Sequence, residues 1–342
     1  VKAVRYHRHG GPEVLAYEEA EPPRPEPDEV VVAIRAASVN HLDIWLRRGL
    51  PGIKVQFPRI PGADGAGVVT EVGRDVRSPA VGQRVLIDPG CCCWRCEFCG
   101  GGDNSMCPDY SIIGEHEDGC YAEFVAVPAA NVLPIPDDAK FETAAAATLV
   151  YLTAWRMLVT RGRLRAGEEV LILGAGAGVG TACLQIARLT GARVIGAAST
   201  EEKCERLRRL GADATINTSK EDFAAAVRTL TGKRGVDVVV DYIGKDTWAG
   251  SLKCLRRGGR LVTCGATSGH DPVEDLRHVF YRQLEIIGST MGSRRELLHV
   301  LKLVFAGKLT PIIDRVMPLK DAARAHELIE QRQVFGKIVL TP

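Results

Sequence analysis

At 342 residues the chain exceeds the usual size of a single hydrophobic core, and 46% hydrophobic residues is ordinary for a folded protein, so two domains are expected. A net charge of only +2 argues against a nucleic-acid partner held by phosphate neutralisation. No apolar run reaches the roughly 18 residues that span a bilayer, and the opening VKAVRYHRHGG lacks the form of a signal peptide, which points to a cytoplasmic protein with no membrane partner.

Residues 3–6 read as a strand, and the segment EPPRPEPDEV that follows is a proline-stiffened connection. A strand over 30–37 leads through Ser38-Val39-Asn40-His41-Leu42-Asp43 into a short helix carrying Ile44 and Trp45. Pro61-Gly62-Ala63-Asp64-Gly65-Ala66-Gly67 precedes a strand at 68–72, and further β-like runs lie at 84–87 and 121–127. Short strands broken by glycine and proline mark an irregular β-rich domain. It holds no nucleotide loop and is expected to face the substrate.

Six of the eleven cysteines crowd between Cys91 and Cys107. In a reducing compartment that crowding points to metal ahead of disulfides. Cys93, Cys96, Cys99 and Cys107 follow the spacing C-x2-C-x2-C-x7-C, which suits tetrahedral zinc in a closed structural site. An iron–sulfur cluster is the competing reading. Cys91 and Cys92 are expected to be ordinary side chains beside the site, with substitution as ligands the other possibility.

The alanine-rich stretch 137–160 is helical and is expected to cross from one domain to the other. A buried-type strand at 170–173 then runs into Gly174, Gly176, Gly178 and Gly180, interleaved with Ala177 and Val179, before a helix that ends at Gly191 and a second strand at 193–197. In such a strand–turn–helix–strand unit the glycines let backbone N–H groups approach a pyrophosphate at the positive end of the helix. The spacing is not literally G-x-G-x-x-G, because Val179 and Thr181 fall where the third glycine would stand, yet strand and helix lie on the required sides. A dinucleotide site is expected here.

Sites for NAD usually place Asp or Glu at the end of the second strand. This chain has Gly196-Ala197-Ala198-Ser199-Thr200 instead. Ser199, Thr200 and Lys203 suit a 2′-phosphate that a carboxylate would repel, so NADP(H) is favoured over NAD(H). A helix at 201–210, strands at 214–217, 236–241, 260–264 and 284–288, and a helix at 223–230 continue the alternation expected of a parallel, doubly wound sheet. Two amphipathic helices, 294–299 and 321–331, and a strand at 337–340 close the chain.

Taken together, Asn40 to Asp43, Pro61 to Gly67, PGCCCWRCEFCGGGDNSMC, Asp118 to Phe124, the glycine turn and Gly336-Lys337-Ile338-Val339-Leu340 resemble the medium-chain dehydrogenase/reductase superfamily over essentially the whole chain. That family runs from zinc alcohol dehydrogenases to NADPH:quinone oxidoreductases. The resemblance implies an α/β chain with a GroES-like β-rich catalytic domain over 1–150, carrying one structural zinc in the lobe 91–107. It further implies a Rossmann domain over 151–291 and a segment, 292–342, that returns to the catalytic domain. A homodimer or homotetramer paired through the 286–291 edge is also implied.

The departures from the family pattern carry the functional reading. Zinc alcohol dehydrogenases hold a catalytic zinc on a Cys, a His and a second Cys, and the matching positions here are Asn40, Ala63 and Leu149. Zinc lowers the pKa of bound water from about 15.7 to about 7, about 12 kcal/mol of help in forming an oxyanion. An amide cannot replace that, so an NAD(P)H-dependent reductase acting on a quinone-like or conjugated carbonyl is expected, with Asn40 as candidate donor to the developing oxyanion. Asp43 and Asp64 complete the candidate site and are expected to bond local loop backbone. Trp45 and Tyr151 read either as pocket walls or as core. Two alternatives stay open: an alcohol dehydrogenase with a metal site rebuilt around Asp43, Asp64 and His41, and an NADPH-binding protein without turnover. The remaining histidines, His326 among them, show no ligand spacing.

Overall fold

The structure is a computed structural model describing residues 1–50 and 52–342, and it divides into two units, Val1–Leu149 with Ser293–Pro342, and Val150–Gly292. The first opens with an antiparallel hairpin, β1 (Lys2–Arg5) and β2 (Ala16–Glu19). β3 (Glu29–Ser38) reads EVVVAIRAAS and buries nearly every side chain on both faces, which places it at the centre of a sheet. After it, Asn40 caps α1 (His41–Arg48), and the Asp43 side chain reaches back to the Asn40 N–H in a capping box. β4 (Asp64–Val72) lies antiparallel along β3, from Val30↔Val72 to Ser38↔Asp64.

β5 (Arg84–Ile87) extends that sheet. β6 (Gly90–Cys91), the short helix α2 (Glu97–Gly100) and β7 (Ser111–Ile112) frame the cysteine lobe, with β6 and β7 paired to each other. β8 (Phe124–Pro128) and β9 (Val132–Pro134) follow. The strand expected from 121 begins at 124 because Tyr121 and Ala122 turn to the first hairpin, where Val4 N–H donates to the Tyr121 carbonyl and Ala3 bridges Ala122. The long helix expected over 137–160 is α3 (Phe141–Trp155), continued by one π-helical stretch, Arg156–Arg161.

The second unit alternates strand and helix: β10 (Glu169–Ile172), α4 (Gly178–Thr190), β11 (Arg193–Ala198), α5 (Glu201–Arg209), β12 (Ala214–Asn217), α6 (Phe223–Leu230), β13 (Val236–Val240), α7 (Trp248–Cys254), β14 (Leu255–Thr263), α8 (Leu276–Arg282) and β15 (Glu285–Gly288). Its sheet is parallel throughout, in the order β12-β11-β10-β13-β14-β15. Chain direction across the sheet reverses between β10 and β13, and in open parallel sheets a ligand crevice opens at that point, beyond the strands' carboxyl ends. Leu171, Ile195, Val239 and Leu261 fill the core beneath, each fully buried.

The chain then returns to the first unit through α9 (Arg294–Phe305), β16 (Ile313–Pro318), α10 (Ala322–Glu330) and β17 (Lys337–Thr341). The first sheet has the order β16-β17-β3-β4-β5-β9, with β8 also on β3. β17 is antiparallel to β3, with Val339 opposite Ser38 and Leu340 opposite Ala37. Two steps further along this register bring Lys337 to Asn40.

Candidate active site

Three neighbouring strands, β17, β3 and β4, bring Lys337, Ser38 and Asp64 side by side. The Lys337 Nζ donates to Asn40 Oδ1 at 2.5 Å and to the Val39 carbonyl at 2.7 Å, and lies 3.4 Å from Asp64 Oδ2. Asp64 Oδ2 also accepts from Ser38 Oγ and from Asn40 Nδ2, each at 2.9 Å, while its Oδ1 accepts from the Leu149 N–H at 3.0 Å. Asp64 is fully buried and Lys337 3% exposed. Burial pulls the lysine's pKa down, opposed by the neighbouring Asp64 and Asp43. Two charges this deep in the fold are tolerable only as a hydrogen-bonded pair.

The Asn40 amide gives its hydrogens to Asp64 Oδ2 and to the Ser38 carbonyl, 3.4 Å away, and its oxygen to Lys337. It is a bridge inside the network. The three positions that the family resemblance implies for a catalytic zinc's ligands carry a committed amide, the buried methyl of Ala63, and Leu149. A divalent cation brought there would meet a fixed ammonium group, so the residues present do not fit that metal. His41, at the start of α1, is held neutral, pushed down to about 4 chiefly by burial and then by Lys337. Trp45 packs near it, ring centroids 6.1 Å apart.

Behind this network lies a second polar chain. Asp43 Oδ2 accepts from the Asn40 N–H at 2.8 Å and from Tyr121 Oη at 3.0 Å, and burial raises its carboxyl to about 6. Tyr121 Oη lies 3.5 Å from Nε2 of His326, a fully buried side chain of α10 that burial pushes down to about 3. Ser38, Tyr121, His326 and Lys337 are the members that sequence reasoning missed. Lys337 and Tyr121 lie in stretches that carry the family resemblance, but residue type alone names no partner. In the second unit, Tyr151 is core: it is 1% exposed, and its hydroxyl accepts from Gln185 Nε2 at 2.9 Å.

The glycine turn follows β10 at the sheet's carboxyl edge. Gly174 holds φ at +63°, and its carbonyl accepts from Tyr242 Oη at 2.8 Å. A Cβ on Gly180 would come within 2.5 Å of the Gly174 carbonyl oxygen and 2.6 Å of the Ala175 Cα, so this glycine sets how closely α4 packs on the turn. Gly178 and Val179 open α4, and the preceding Ala177 offers no side-chain cap. Donors left at a helix start in this way, with Gly176 in the same turn, suit phosphate oxygens.

At the end of β11 the Thr200 hydroxyl caps α5 by accepting from the Lys203 N–H at 3.2 Å, and the Ser199 carbonyl accepts from Ser219 Oγ at 2.7 Å. The nearby Glu201 carboxylate is engaged by Arg208, Lys220 and Asn217. Ser199, Thr200 and Lys203 therefore share one corner, beside a Glu201 whose carboxylate is engaged by its own partners.

The sulfur atoms of Cys93, Cys96, Cys99 and Cys107 all lie within 4.8 Å of one another, and among the described residues this is the group of His, Cys, Asp or Glu side chains that could hold a metal ion. Four sulfurs at about 2.3 Å from a tetrahedral zinc would stand about 3.8 Å apart. Cys93 and Cys107 are at 3.5 Å, and the Cys93, Cys96 and Cys99 N–H groups each donate to a cysteine sulfur of the set. The backbone N–H groups of Arg95 and Cys96 bring the Cys93 thiol down to about 6. This arrangement fits zinc. Burial pushes Cys91 in the opposite direction, up to about 12, as expected of a bystander thiol.

Comparison with known proteins places these features in a lineage. Residues 26–137 match the model of the alcohol dehydrogenase GroES-like domain, and residues 178–306 that of the zinc-binding dehydrogenases. A 2-haloacrylate reductase from Burkholderia sp is 36% identical, covering 100% of this chain and 99% of that protein. A quinone oxidoreductase from Mus musculus is 32% identical over 99% of this chain and 97% of its own length. The crystal structure of an NAD-dependent alcohol dehydrogenase superposes with a TM-score of 0.96 at 47% identity, each chain covered in full. With a GroES-like domain, a Rossmann-like parallel sheet and relatives that match end to end, the chain belongs to the medium-chain dehydrogenase/reductase superfamily of NAD(P)-dependent oxidoreductases.

Proposed function

We propose that the protein reduces a quinone-like or conjugated carbonyl compound at the expense of NADPH, without a catalytic metal and with one structural zinc on Cys93, Cys96, Cys99 and Cys107. The observation that carries this reading is the Lys337 ammonium bridging Asn40, Val39 and Asp64, at a position that the family resemblance implies for a zinc ligand. The bound dinucleotide supplies hydride to an electron-poor carbon. As charge develops on the substrate's carbonyl oxygen, Lys337 is the cation that receives it, and its long 3.4 Å contact to Asp64 is the one given up. Asn40 positions Lys337, and Asp64 keeps it charged. Asp43 fixes the turn that carries Asn40. An ammonium polarises less than zinc, which suits an acceptor already activated by conjugation. The 2-haloacrylate reductase and the quinone oxidoreductase carry names of that class.

NADPH is favoured over NADH because β11 ends without an acid and Glu201 is tied up by its partners. We further read the enzyme as a cytoplasmic homodimer or homotetramer, a reading supported by a thiol-rich metal lobe and by the exposed Ile286 on edge strand β15. Among the described residues no helix is long and apolar enough to cross a membrane.

The test is NADPH oxidation with quinones, enones, acrylates and aldehydes, alongside NADP+ reduction with alcohols. Turnover of the conjugated acceptors is expected, with kcat lowered about 100-fold in Lys337→Met, as for loss of an oxyanion donor. Activity confined to simple alcohols, together with a second zinc per chain, would overturn the reading in favour of a rebuilt metal site.

A further inference from the structure

The glycine turn follows the carboxyl end of β10, whereas β13 and β14 begin, at Val236 and Leu255, on the opposite edge of the same sheet. Beside those strand starts lies a cavity of about 300 Å³ lined by the cations Arg228, Lys233, Arg234, Lys253 and Arg282 together with His278, with no carboxylate among its lining residues. Arg234 is already paired with Asp237 and Glu169. Among the described residues, Arg228, Lys233, Lys253 and Arg282 have no carboxylate partner.

Helix dipoles account for part of this charge. The last turns of α6, α7 and α8 carry Arg228, Lys253 and Arg282, and cations at helix C-termini are stabilising. Each terminus presents about half a negative charge, so three present at most about one and a half against four full positive charges. The end of α6 is in addition satisfied by backbone, since the N–H groups of Thr231 and Lys233 donate to the Val227 and Arg228 carbonyls. A surplus of at least about two and a half positive charges remains around one concavity. Arg282 is held in place there by bonds to the Leu252 and Leu255 carbonyls, and its pKa is lowered by burial and by the nearby Arg257 and Arg228. Like charges gathered without a counterion repel one another, and a multiply charged anion relieves that repulsion.

We propose that this cavity is an anion site, separate from the dinucleotide turn, for a compact polyphosphate group, either a free inorganic polyphosphate or the phosphate tail of a small phosphorylated metabolite. Arg228, Lys233 and Lys253 supply the mobile contacts, and Arg282 the fixed one. The site does not depend on the substrate proposed above.

Calorimetric titration of the full chain with inorganic tripolyphosphate, at low ionic strength and with NADPH already saturating the dinucleotide turn, tests this. Wild type is expected to take up one equivalent. Arg228→Glu with Lys253→Glu is expected to weaken that uptake by at least about tenfold while leaving NADPH affinity unchanged. If circular dichroism shows that the reversed variant does not fold, Arg228→Gln with Lys253→Gln serves with the same readouts. No uptake by NADPH-loaded wild type, or equal uptake by the variant, would overturn the proposal. Nucleoside triphosphate in place of tripolyphosphate then separates the sources: tighter binding favours a metabolite tail, weaker binding a free polyphosphate.

Discussion

Lys337 and Asp64 stand 273 positions apart in the chain and 3.4 Å apart in the fold, both withdrawn from solvent. Removing the lysine alone leaves a buried carboxylate with only neutral donors. Lys337→Met is therefore expected to cost about 3–5 kcal/mol of stability, and the double variant with Asp64→Asn less than the two single losses added together. Urea unfolding of the four proteins measures this. Strict additivity would mean that the pair is not coupled.

His326 gives the first unit an acid-sensitive element. Its imidazole, pushed down to about 3, stays neutral in the fold, whereas in the unfolded chain it takes a proton near 6.5. Between those values the unfolded state binds more protons, so this contribution to stability is complete above about pH 6.5 and drains away as pH falls toward 3. Asp43 acts in the opposite sense: raised to about 6 from 3.8, it is protonated sooner in the fold, and stability is gained as pH falls through that interval. The histidine's window is the wider. Between pH 7 and 4.5, His326→Gln should lose about 3 kcal/mol less than wild type, read from denaturation midpoints at the two pH values. Equal losses would show that His326 is not held neutral.

At Gly180 the limit is space. A methyl group there meets the Gly174 carbonyl and the Ala175 backbone, neither of which can swing aside. Gly180→Ala should destabilise the second unit by about 1–3 kcal/mol and lower NADPH affinity at least about tenfold, as followed by nucleotide fluorescence. Retained affinity would place the phosphates elsewhere.

Coenzyme choice is open to a single substitution. Ser199→Asp restores an acid at the end of β11, which should repel a 2′-phosphate and shift the ratio of kcat/KM values toward NADH by about tenfold or more. An unchanged ratio would remove Ser199, and with it the corner shared by Thr200 and Lys203, from coenzyme selection.

Metal removal should be confined to the cysteine lobe. A strong chelator is expected to release one zinc per chain and to loosen residues 93–107, seen as faster amide exchange there, while NADPH binding persists. Release of two zinc ions would overturn the proposal that the enzyme works without a catalytic metal.

Local pattern carried much of this molecule. Buried β-branched runs such as Val236–Val240, the glycines before α4 and the cysteine spacing each report chemistry within a few residues of chain, where periodicity and turn geometry act directly. The residue types at Asn40, Ala63 and Leu149, none of them a usual zinc ligand, were legible as well. What filled the space was not. Lys337 reaches Asn40 because β17 pairs antiparallel with β3 in one register, and α10 sets His326 beside Tyr121, so these contacts follow from strand pairing and helix packing across some two or three hundred residues. The sequence by itself determined the kinds of group available; only the folded chain decided that the Lys337 ammonium meets the Asn40 amide and the buried Asp64 carboxylate, because strand register and not closeness in the chain sets which groups face one another.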